Sequence, residues 1–159
     1  MKLLTQNESI NDRLKLNLRP GGWDVNQRPY ASSFILAMNA SLYSSRLTIA
    51  GCFGGYIDGD FFVNGDALII EAPGLAFNKQ IVSTVDPTSV GGLSYIDGCS
   101  NTVVIPPPRN GDPCVNYLYF PPRINQTVHT HPSIRIGYVL AGSGLARTSN
   151  GDIPLKAGD

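Results

Sequence analysis

The chain has 159 residues, 42% of them hydrophobic and only 15% charged, with 17 glycines and 12 prolines; that suffices for one domain with a core and suits short strands and tight turns better than long helices. Its twelve basic and twelve acidic side chains cancel, so no summed field exists to hold nucleic acid or an anionic membrane surface, and weak self-repulsion favours a homo-oligomer. Cys52, Cys99 and Cys114 are an odd number that fits neither a Cys-x-x-Cys zinc site nor a disulfide framework, and Met1–Glu8 shows no signal peptide, so a soluble cytoplasmic protein is expected.

In chain order, residues 1–30 are polar and interrupted by Pro20-Gly21-Gly22 and Pro29, which predicts an irregular N-terminal arm with Trp23 as a docking anchor. Residues 31–47 carry apolar side chains compatible with a helix, yet their Ser and Asn content lowers helix propensity, and the type of element stays open. The apolar run from Phe34 to Phe53 is broken by Asn39, Ser41, Ser44, Ser45 and Arg46, too often to cross a bilayer. Asp58-Gly59 and Asn64-Gly65 each suit the positive backbone angles of a two-residue hairpin turn, which predicts a meander. Short β-rich runs follow at 81–85, 103–105, 116–120, 127–131 and 134–140, for roughly eight strands in all. Tyr-Ile-Asp-Gly occurs at 56–59 and again at 95–98, read as a turn solution used twice. Residues 106–113, opening with three prolines, make a stiff connection, dividing the chain into an arm (1–30), a β-rich region (31–105) and a C-terminal region (106–159).

The chemistry concentrates in residues 120–144. Side chains two apart on a strand share a face, so His129 and His131, the two histidines of the chain, point the same way with their backbones ~6–7 Å apart. Two imidazoles can converge on one ion, and neutral imidazole nitrogen suits Zn, Fe, Ni, Cu and, with oxygen ligands added, Mn. Half-buried strand histidines bonded to carbonyls would have the same spacing. Arg135 shares their parity and is expected to face the same interior. A buried guanidinium needs a carboxylate from another strand, or a ligand carboxylate or phosphate. Tyr138 and Gln126 have the opposite parity and are expected to pack or face solvent.

The pattern around these residues resembles the first motif of the cupin superfamily: a glycine, five residues, His-x-His, three or four residues, Glu, six residues, Gly. His129, His131 and Gly142 fall in register, and Ile153-Pro154-Leu155-Lys156-Ala157-Gly158-Asp159 resembles the start of the second motif. The resemblance spans residues 117–159. It implies a mainly β chain with little helix, forming part of an antiparallel β-barrel or jelly roll. It also implies a divalent metal (Fe, Mn, Ni or Zn) at His129 and His131, with a third ligand expected beyond Asp159, so that the chain reads as a fragment lacking its last strands. Two positions depart from the family. Arg123 stands at the motif glycine, and Arg135 stands at the metal-binding glutamate, where an always-cationic guanidinium cannot ligate.

No nucleophile elbow, Walker loop or Gly-x-Gly-x-x-Gly fingerprint appears. Three functions are therefore expected, in order. The first is a cupin-like domain binding a small anionic molecule through His129, His131 and Arg135, with or without a metal. The second is a metal-dependent dioxygenase or isomerase. The third is a structural jelly roll whose histidines only pack.

Overall fold

The computed structural model describes residues 9–11, 14–19, 23–25, 31–73 and 79–159, and the side chains of 32–72 and 79–159. In the ambiguous stretch the serine and asparagine content, which lowers helix propensity, goes with strand rather than helix. Ala31–Ser44 is a single 14-residue strand, β4, numbered after the short strands β1 (Ser9–Asn11), β2 (Leu14–Arg19) and β3 (Trp23–Val25). The segment expected to be an irregular arm thus contributes strands, with Trp23 in register with Val63; the Trp23 side chain lies outside the described residues. β5 (Thr48–Ile57), β6 (Phe61–Pro73) and β7 (Gln80–Thr84) complete an antiparallel sheet of order β1-β2-β6-β4-β5-β7, with β3 also on β6.

This order corrects the expected meander. β5 and β6 are not hairpin partners but flank β4 on opposite sides. Asp58-Gly59 does turn the chain, with Gly59 at φ 117°, yet it carries the chain across β4. Ile57 pairs with Ser33 and Phe61 with Ser44. Four Cα steps reach at most ~15 Å, whereas the eleven steps from Ser33 to Ser44 would span ~36 Å if straight. The ~5 Å spacing to each neighbouring strand does not close that gap, so β4 must curl.

The curl has a visible device. Asn64-Gly65, expected to be a hairpin turn, lies inside β6, opposite a bulge in β4 at residues 37–40. Gly65 takes φ 113°, and a side chain there would strike the Asn39 carbonyl and lie 2.8 Å from the Ala40 Cα. The dipeptide's tolerance of positive φ is used, but for a bulge. The extra β4 residue shifts the side-chain alternation. Ile35 and Ala37 before the bulge, and Ala40 and Leu42 after it, enter the same core as Phe53, Ile57, Phe61, Val63, Ala67 and Ile69. Without the bulge one half of β4 would present its polar residues inward.

Part of the opposite face is also covered. A side chain at Gly54 would lie 2.7 Å from Val104 Cγ1 and 3.2 Å from Val115 Cγ1, so the bare glycine admits that segment. Tyr56 is buried there, edge-on to Phe34 at 5.1 Å, and donates to Ser32 Oγ at 2.7 Å. In the proline-rich connection Arg109 donates to both Asp112 oxygens, at 2.8 and 3.1 Å.

Further strands are β8 (Leu93–Ser94), β9 (Ser100–Ile105) and β10 (Val115–Tyr119), in a sheet of order β10-β9-β8, and the hairpin β11 (Ser143–Thr148) and β12 (Gly151–Lys156). A 3₁₀ turn, Ile96–Gly98, separates β8 from β9. The second Tyr-Ile-Asp-Gly copy lies in this turn, with Asp97 at φ 54°, so the repeated string takes two conformations. The chain is mainly β and antiparallel, as expected, and among the described residues no helix is long and apolar enough to cross a membrane. It divides into two compact units. Among the described residues the sheet unit takes in those from Ser9 to Val85 together with Val104–Val115, and the loop unit takes in Asp86–Val103 and Asn116–Asp159.

Candidate functional site

His129, His131 and Arg135 all lie in the loop unit, on the irregular segment 120–142 between β10 and β11. The strands expected at 127–131 and 134–140 are absent. Pro121, Pro122 and Pro132 remove backbone donors and, with the turn at Arg123, break any continuous ladder. The three side chains are exposed and do not face a barrel interior, so the parity argument built on a continuous strand does not apply.

The segment is nevertheless tied down at both ends. Thr127 donates its backbone N–H and its hydroxyl to one carboxylate oxygen of Asp97, at 2.6 and 2.7 Å. Gln126 Nε2 reaches the Ile96 carbonyl at 3.5 Å and Cys99 Sγ at 3.6 Å, and Arg147 donates to Asn125 Oδ1 at 3.1 Å. At the far end Gly158 N–H donates to the Val139 carbonyl at 2.9 Å and Ala157 N–H to the Gly142 carbonyl at 3.1 Å. The segment between 127 and 139 is therefore an anchored loop.

Within it the predicted residues come together locally. The His129 and His131 rings stand edge to face with centroids 4.9 Å apart. His129 Nδ1 is 2.8 Å from the Thr127 carbonyl oxygen, and Arg135 Nη2 is 3.4 Å from His131 Nδ1. Partial loss of solvent around the ring, then the charges of Arg135 and His129, lower the His131 pKa from its ordinary value and so favour the neutral ring. Two hydrogen bonds from Thr127, backbone then side chain, and to a smaller extent the charge of His129, hold the Asp97 carboxyl below its ordinary value.

A metal fits this donor set poorly. Among the described residues no three His, Cys, Asp or Glu side chains are grouped to hold an ion, and a permanent cation touches one of the two imidazoles. Nor does the site offer a thiol nucleophile. Cys99 is buried, and burial, then the charge of Asp97, pushes its thiol up; none of the three cysteines is in a disulfide.

Asp97 and Thr127 were not singled out by sequence. Asp97-Gly98 does signal a positive-φ turn, but its partner lies 30 residues away. Gln126, expected to pack or face solvent, is a half-buried anchor. No family model, curated protein or solved structure matches the chain.

Proposed function

We propose that this chain is a cupin-like domain that binds a small anionic molecule at the loop carrying His129, His131 and Arg135. The observation that carries the reading is Arg135. Its guanidinium makes no ion pair among the described residues and stands beside two imidazoles at the surface, so a ligand carboxylate or phosphate has donors waiting and no internal anion to displace. Two backbone angles support the cupin resemblance itself. Arg123, at the position of the motif glycine, takes φ 65°, a conformation that favours glycine, and Gly142, at the second glycine, takes φ 80°.

The metal-dependent dioxygenase or isomerase is the weaker reading, because it needs Arg135 to withdraw from His131 and needs ligands that the described residues do not group. Barrel closure, a homo-oligomer and a cytoplasmic location belong to the same proposal. Nine exposed large hydrophobics in the loop unit support self-association.

Metal analysis of the purified protein combined with equilibrium dialysis against oxalate and inorganic phosphate separates the readings. Anion binding without stoichiometric metal, lost in Arg135→Ala, is expected. Stoichiometric Fe, Mn, Ni or Zn, lost when His129 and His131 are both changed to Ala, would favour the metal-dependent enzyme instead.

A further inference from the structure

The two histidines have different partners on the same ring atom, and this fixes the tautomer that each ring takes when it is neutral. A backbone carbonyl only accepts, so at 2.8 Å from the Thr127 oxygen His129 Nδ1 must carry the hydrogen. A guanidinium only donates, so His131 Nδ1, 3.4 Å from Arg135 Nη2, must offer its lone pair. A neutral imidazole has one hydrogen and one lone pair on nitrogen. His129 is left with an accepting Nε2 and His131 with a donating Nε2–H.

The carbonyl that sets the first tautomer is itself held in place, because the Asp97 carboxylate, on a residue in the left-handed region at φ 54°, grips the Thr127 N–H and hydroxyl. Asp97 is thus a positioning residue, acting on His129 through Thr127. With the ring centroids 4.9 Å apart, one small molecule can touch both rings.

We infer that the loop is built for an oxyanion that also carries a hydrogen-bond donor, such as a monohydrogen phosphate or a 2-hydroxycarboxylate: Arg135 and His131 Nε2–H take the anionic oxygens, and His129 Nε2 accepts the hydroxyl. This rests on the anion-binding reading and adds the chemical class of the ligand. The same geometry accounts for the poor fit to a metal, since the one lone pair of His131 already faces a cation.

Hydrogen phosphate and sulfate provide the test. At pH 8, above the ordinary histidine range, both are dianions of similar size and phosphate alone carries an O–H. Long-range ¹H–¹⁵N NMR of the full chain without ligand reads the tautomers, and titration with each anion reads the preference. Opposite tautomers, with hydrogen phosphate bound about fivefold or more tightly than sulfate, are expected. His129→Ala should bring phosphate down to sulfate, and His131→Ala should weaken both; each residue is exposed, so folding is not at stake. Identical tautomers, or equal affinity for the two anions, would overturn this inference while leaving anion binding intact. Failure of both anions to bind, with the tautomers as inferred, would overturn the anion-binding reading and this one with it.

Discussion

The two units are held together by different physics. Of the eighteen buried hydrophobic residues described, all but Cys99 belong to the sheet unit. Nine of the eleven exposed large hydrophobics described belong to the loop unit, Val128 being 90% exposed. The sheet unit is a packed core shaped by a bulge. The loop unit is a set of short strands and an anchored loop whose geometry depends on hydrogen bonds to side chains such as Asp97, Gln126 and Arg147. A binding loop needs adjustable side chains on fixed ends, and this division supplies both.

Substitutions in the sheet unit should break the comparison most visibly. Leu42→Ala removes a fully buried side chain from the core and is expected to cost about 2–5 kcal/mol in chemical denaturation. Gly54→Ala places a methyl group 2.7 Å from Val104 Cγ1, and the resulting overpacking should cost about 1–3 kcal/mol in the same assay. Neither change should alter anion affinity, since each lies in the other unit from the loop.

Acid sharpens the comparison from the loop side. The Asp97 carboxyl is depressed in the folded state, so its grip on Thr127 is fully present above the unfolded value of about 3.9 and is lost as pH falls through the lower folded value. The Thr127 amide resonance should move towards its released position as pH falls below about 4, whereas in Asp97→Ala it should already occupy that position at pH 7. Arg123→Gly relieves a positive φ at the expense of chain entropy and should raise stability by about 0.5 kcal/mol. Val128→Ala, at an exposed position, should stay within about 0.5 kcal/mol of the parent.

The β class was legible because it rests on composition and on the Gly, Pro and Asn punctuation. Where that punctuation sits in the topology was not, and Asn64-Gly65 shows why: a positive-φ dipeptide serves a hairpin turn or a bulge equally well, and only pairing with β4 decides. The same limit applied at the site. Spacing and strand alternation together point to His129, His131 and Arg135. The loop brings them together instead through local bonds between 127 and 135, a geometry that spacing alone does not show. Asp97 escaped notice because a single aspartate in a turn carries no mark of the threonine it will meet 30 residues later.

Backbone NMR during titration of the full chain with inorganic phosphate tests the central claim most directly. Saturable shifts confined to the loop from Thr127 to Arg135, absent in Arg135→Ala, are predicted. Shifts centred in the sheet unit, or a titration that Arg135→Ala leaves unchanged, would contradict it.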